Sequence, residues 1–265
     1  MSKKITTELV KKLRDATGIS VMQCKRALEE AEGDMDKALA ILKKTSSDIA
    51  FKKANRLTNA GAVMIKSSNN KAVVFSLHCE TDFVSKNEDF ISLLSKLTDK
   101  AFEKMSAKGG PASGWKEDAK EMIDAVIQKT GENIQLGDAY LIEGSVLGNY
   151  VHNNKTAVVV SLEGGTPELA KDIAMHITAM KPEYILPEEI NEDSKKTMNE
   201  IFEKEIANVD KPEEIKKKML EGKISTYFKE KTLVDQPFIK NPDETVGKLL
   251  EKSKAKIKEV KVCSI

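Results

Sequence analysis

The chain repeats itself, and the repeat limits the folds open to it. Asn69-Asn70-Lys71-Ala72-Val73-Val74-Phe75-Ser76-Leu77 resembles Asn153-Asn154-Lys155-Thr156-Ala157-Val158-Val159-Val160-Ser161-Leu162. In each copy an Asn-Asn pair, which tolerates the positive φ of a tight hairpin turn, precedes an apolar run of strand type. In each a helix follows, along Phe90, Ile91, Leu94, Leu97, Ala101 and Phe102 in the first and along Leu169, Ile173, Ile177 and Met180 in the second. The pattern predicts an α+β chain with two related subdomains, each a small antiparallel sheet with helices packed on it.

The copies differ where strand passes to helix. The second uses Glu163-Gly164-Gly165-Thr166-Pro167, a short turn with a Thr cap and Pro at the first helical position. The first runs His78-Cys79-Glu80-Thr81-Asp82-Phe83-Val84-Ser85-Lys86-Asn87, with an acid and a large aromatic side by side. Phe83 either folds back to plug the protein's own core or is displayed to a partner that buries it. The fold makes this connection in the second copy without Thr81-Asp82-Phe83-Val84, which favours a functional role for those four residues.

Elsewhere helical patterns dominate. Residues 5–44 read as three short helices: Thr7 caps the first, Gly18 ends it, Ser20 with Gln23 fits a capping box, and Asp34 caps the third. Val21 and Met22 share the first turn of the second helix, where two adjacent apolar residues cannot both face inward, so one of them is expected at the surface. Residues 46–60 read as a linker. Residues 109–114 read as a loop, and Ile134 to Glu143 as a strand. From about 188 to 230, Lys and Glu dominate and apolar positions thin out, with Lys211-Pro212 in the middle. That predicts an antiparallel helical hairpin projecting from the body. A short helix through Val246, Leu249 and Leu250 and a closing edge strand with Val260 and Val262 end the chain.

Several functions are disfavoured. The 43 basic residues nearly cancel the 42 acidic ones, so overall charge gives no reason to bind nucleic acid. Three cysteines (Cys24, Cys79, Cys263) and three histidines (His78, His152, His176) are too scattered for a metal motif. Adjacent His78 and Cys79 on a strand point to opposite faces and cannot form a base–nucleophile pair. There is no Gly-Lys-Ser or Gly-Lys-Thr phosphate loop, and no apolar run approaches the ~18 residues of a membrane span. The expectation is a cytoplasmic protein that is not an enzyme and carries no cofactor.

Three motifs carry a resemblance. Cys79-Glu80-Thr81-Asp82-Phe83-Val84, the stretch from Thr17-Gly18 to Cys24-Lys25-Arg26-Ala27-Leu28, and Gln236-Pro237-Phe238-Ile239-Lys240 closely resemble the signatures of bacterial elongation factor Ts. The resemblance implies a guanine-nucleotide exchange factor that meets elongation factor Tu in its GDP-bound and nucleotide-free states, alone, as a homodimer or in a 2:2 assembly. It implies a ubiquitin-associated-like head over 1–45, a linker over 46–60, a first core subdomain over 61–143 with the 81–84 loop, and a second over 144–265 that includes the helical hairpin. Contacts with elongation factor Tu then fall to Thr81, Asp82, Phe83 and Val84, which disturb the Mg–GDP site, and to Arg14, Val21, Met22 and His152. At positions 21 and 23 the family usually has Met and Asp, where this chain has Val21 and Gln23. A different function class, a non-catalytic adaptor with the head on one partner and the helical hairpin on another, fits the same elements.

Overall fold

The computed structural model describes residues 5–108, 115–207, 209 and 211–265, so the loop expected over 109–114 lies outside the described residues. The chain runs α1 (Thr7–Thr17), α2 (Val21–Glu30), α3 (Met35–Lys53), β1 (Ala60–Ser68), β2 (Lys71–Cys79), α4 (Asp82–Ser85), α5 (Glu88–Lys108) and α6 (Trp115–Thr130). It continues β3 (Ile134–Glu143), β4 (Val146–His152), β5 (Thr156–Glu163), α7 (Pro167–Met180), α8 (Glu192–Ala207), α9 (Glu213–Lys231), β6 (Pro237–Phe238), β7 (Asn241–Thr245), α10 (Val246–Lys252) and β8 (Lys256–Ser264). The class is α+β, and the chain divides into two compact units.

The first unit takes residues 1–142 with 151–157 and 262–265. Its head is α1–α3, closed over Leu13, Cys24, Leu28 and Ala38, all fully buried. The Oγ1 of Thr6, one residue before the expected cap, accepts the Leu9 N–H at 3.3 Å. Gly18 ends α1 at φ 70°, a left-handed position that glycine takes without the Cβ penalty. Ser20 and Asp34 cap α2 and α3 as their sequence predicts. The stretch expected to be a linker begins as helix, because residues 46–53 continue α3. Ile49 and Ala50 join the core beneath it, the Ser47 hydroxyl donates to Asp124 Oδ2 on α6 at 2.8 Å, and Lys43 pairs with Glu121 at 2.8 Å.

Behind the head, three strands form a sheet in the order β1-β2-β3. β1 and β2 are antiparallel with Ser68 opposite Lys71, and Asn69 takes the turn at φ 53°. Val73, Phe75, Leu77 and Cys79 of β2 pack with Phe90, Leu94 and Leu97 of α5 and Ile123 and Ile127 of α6. Complete burial of such a side chain contributes ~1.5–3 kcal/mol, which makes this layer the unit's main source of stability.

The second unit takes 143–150 and 158–261. Its strands belong to a sheet ordered β4-β5-β8, and Asn153 and Asn154 supply positive φ values of 49° and 55° at the turn from β4 to β5. Val158, Val160 and Leu162 pack with Leu169, Ile173 and Ile177 of α7, and Leu233, Phe238, Val246 and Leu250 complete the cluster. The copies agree in detail: Thr81 and Thr166 both cap at φ −130°, ψ 158°. α8 and α9 form the helical hairpin, tied by Lys223 to Glu205 at 2.7 Å and by Phe202 edge-on to Tyr227.

His176 on α7 is fully buried. The segment 236–239 folds over it. Gln236 Nε2 donates to the Glu230 carbonyl at 2.6 Å, which leaves Oε1 facing His176 Nε2 at 2.8 Å. The Ile239 N–H lies 3.2 Å from Nδ1, so the ring is neutral with its proton on Nε2. Burial holds its pKa below the ordinary histidine value of 6.5, against an opposing effect of the Gln236 bond.

Candidate functional site

β2 ends at Cys79, whose buried thiol donates to the Thr81 carbonyl at 3.2 Å. Burial, aided by the Glu132 carboxylate, pushes that thiol up to about 12, so it stays protonated and is no nucleophile at neutral pH. Cys24 and Cys263 are buried too.

From Thr81 the chain makes one helical turn and starts again. Thr81 Oγ1 accepts the Val84 N–H at 3.4 Å, the Ser85 N–H donates to the Thr81 carbonyl at 3.2 Å, and the Ser85 hydroxyl donates to the Asp82 carbonyl at 3.0 Å. Asn87 then caps α5, its Oδ1 accepting the Asp89 N–H at 2.9 Å. The second copy has no such insertion: Thr166 caps α7 directly.

Two side chains far away in sequence fix this turn. Glu132 takes both donors of Thr81, the N–H at 2.9 Å and the hydroxyl at 2.6 Å. It reaches them because Gly131, at φ 76°, turns the chain sharply after α6. Lys155 Nζ donates to Asp82 Oδ1 at 2.7 Å and to the Gly61 carbonyl at 3.0 Å. Lys155 is itself placed by the hairpin turn, its N–H on the His152 carbonyl and its own carbonyl on the Ile265 N–H, both at 2.9 Å. The hydrogen bond and charge of Lys155 hold the Asp82 carboxyl below the usual carboxylate range.

The core-plug alternative for Phe83 fails, because its side chain is 89% exposed. Val84, buried in this turn together with Ser85, packs in the first unit's core, so it anchors where Phe83 projects. His152 is exposed in the turn that carries Lys155. On the head, Arg14 is exposed on the last turn of α1. Val21 and Met22 are both exposed, at 49% and 59%, where the sequence required only one of them to be. Sequence reasoning missed Glu132, whose partner is 51 residues away, and Lys155, whose signal was the Asn-Asn-Lys shared by the copies.

Among the described residues no group of His, Cys, Asp and Glu could hold a metal ion, and no helix is long and apolar enough to cross a membrane. What the arrangement displays is an aromatic in water, on a turn bonded at Thr81 and Asp82.

The family model described as elongation factor TS matches residues 80–265. The elongation factor Ts of Hahella chejuensis is 41% identical over 256 residues, covering 96% of this chain and 89% of that protein. Those of Pseudomonas fluorescens and Cellvibrio japonicus are 39% and 40% identical, each over 96% of this chain and 88% of the relative.

Proposed function

The chain belongs to the elongation factor Ts family, and from that premise we infer how its exposed turn acts. It is a guanine-nucleotide exchange factor for elongation factor Tu in translation elongation, a partner protein and not an enzyme. In this reading the factor engages the GDP-bound partner, and Phe83 enters it as a wedge beside the Mg²⁺–GDP site. Thr81, Asp82 and Val84 hold the wedge. Arg14, Val21 and Met22, on a ubiquitin-associated-like head over 1–45, and His152 supply the remaining grip. Factor and Mg²⁺–GDP each weaken the other's hold on the partner, and linkage makes that effect reciprocal. Without Mg²⁺ the phosphates are poorly neutralised, GDP leaves, and GTP binds the nucleotide-free partner. The reading places this work in the cytoplasm and is indifferent to whether the factor acts alone, as a homodimer or in a 2:2 assembly.

The observation that supports it is a large aromatic left in solvent on a turn that Glu132 and Lys155 bond at Thr81 and Asp82. The test is release of labelled GDP from preloaded elongation factor Tu at saturating protein. Exchange requires faster release. An adaptor binds without changing the nucleotide off-rate, and that result would overturn the reading.

A further inference from the structure

The Asp82 carboxylate stands next to Phe83, and a carboxylate beside a wedge suggests a charge that competes directly for the partner's metal. The geometry argues otherwise. One of its oxygens is taken by Lys155 at 2.7 Å, and that ammonium is held in turn by the Gly61 carbonyl at 3.0 Å. Asp82 thus ties the turn to two places. One is the start of β1, reached through Gly61. The other is the tip of the hairpin between β4 and β5, where the Val63 N–H donates to the Asn154 carbonyl at 2.8 Å. On the other side of the turn, Glu132 fastens Thr81 by two bonds. The turn is clamped at its cap residue and at its first helical residue, and Phe83 is the next residue along.

We propose that Lys155 and Glu132 are positioning residues for nucleotide exchange, and that Asp82 acts inward, through Lys155, to set the direction in which Phe83 points. The proposal rests on the reading of Phe83 as the wedge, and it gives the second repeat a task in that step. The hairpin that corresponds to the one between β1 and β2 contributes its Lys155 to the first copy's inserted turn. A lysine is suited to this because its flexible stem serves a carboxylate and a carbonyl with one ammonium.

The experiment has two readouts. On the free protein, hydrogen exchange is followed at the Ser85 and Lys86 amides, which close the turn. In the presence of elongation factor Tu, GDP release is measured across factor concentration to separate the maximal rate from half-saturation. For Lys155→Met, exchange at those amides should rise and maximal release should fall by about two- to fivefold, the range expected for an exposed ion pair. Half-saturation should move less. Lys155→Arg should restore both, and Glu132→Gln should act in the same direction as Lys155→Met. Asp82→Asn should cost nothing further once Lys155 is Met, because the two side chains form one clamp. If Asp82→Asn slows release equally with Lys155 present or replaced, Asp82 faces the partner directly and the proposal is overturned. Unchanged amide exchange in Lys155→Met overturns it as well. Normal release by Phe83→Ala would instead remove the wedge reading, while amide exchange would still decide whether Lys155 positions the turn.

Discussion

Replacing Phe83 by Ala separates a wedge from every structural role the residue could have. With 89% of the residue exposed, truncation removes almost no contact from the free protein. Its unfolding free energy should change by no more than about 0.5 kcal/mol, as for ordinary surface substitutions. The effect on the complex is different in scale. An aromatic side chain buries roughly 150–250 Å². At ~25 cal/mol per Å² the exposed portion has ~3–6 kcal/mol available when a partner covers it completely. Interface aromatics typically yield ~2 kcal/mol or more on truncation. If most of that acts on the nucleotide-free state and not on the GDP-bound one, maximal GDP release falls roughly tenfold or more, at about 1.4 kcal/mol per factor of ten. Affinity for elongation factor Tu should fall less, because in the proposed reading Arg14, Met22 and the second core subdomain over 144–265, with its His152, still hold on. The assay is labelled-GDP off-rate at saturating variant, alongside thermal unfolding of the variant alone. Normal saturating release with a weakened half-saturation would refute the reasoning, since Phe83 would then serve affinity and not exchange.

Replacing Cys24, Cys79 and Cys263 together by Ala or Ser should leave exchange activity per folded molecule nearly unchanged; a loss of activity with the fold intact, seen by circular dichroism, would count against this. Removing residues 203–225 and joining the shortened α8 and α9 through a short Gly-Ser turn should preserve folding and most GDP release. This cut spares the base, where Phe228 packs near Tyr184 and Glu230 bonds Gln236, and loss of cooperative unfolding would show that the outer helices are integral. His176 gives a pH dependence. Its folded pKa lies below 6.5, so in the window beneath 6.5 the unfolded chain binds the proton and the folded one does not. Stability is therefore full above 6.5 and declines as pH falls through 6.5 toward the folded value. Denaturant midpoints from pH 7.5 to 5.5 should show a component of this decline that His176→Gln lacks, and equal slopes would refute it.

What the sequence disclosed was the part written locally. The Asn turns, the Thr166 cap and the apolar runs of β2 and β5 are short-range signals, and they placed the connection that carries Phe83. Comparing the copies favoured its display over a core plug, since one copy makes the connection without an aromatic. The clamp on that turn was not legible. Glu132 and Lys155 meet Thr81 and Asp82 from other elements, and a single polar contact between distant residues leaves no periodicity. The restart of helix at Asn87 was hidden for a related reason. A helical pattern through Glu88 gives no notice that the preceding turn belongs to a separate cap. The depth of His176 was not legible, because it depends on segment 236–239 closing over α7. The helical start of the supposed linker was concealed by its composition. The buried stripe of α3 beyond residue 45 is narrow, and its polar residues find partners on α6.

The clamp bears on whether a wedge of this size can work at all. A loop that ordered only on binding would cost about 1–2 kcal/mol per residue in backbone entropy. For the four residues of α4 that is roughly 4–8 kcal/mol, as large as the whole ~3–6 kcal/mol that covering Phe83 makes available. A floppy loop would therefore exhaust its contact energy on its own ordering and leave nothing to set against bound Mg²⁺–GDP. Held by Glu132, Lys155, the Thr81 cap and buried Val84, the turn is ordered during folding, when the unit's core supplies the stability. In the proposed reading, the contact energy of Phe83 is then free to act on the partner. This is a physical reason for the inserted turn to be short, capped at both ends and bonded to two distant elements.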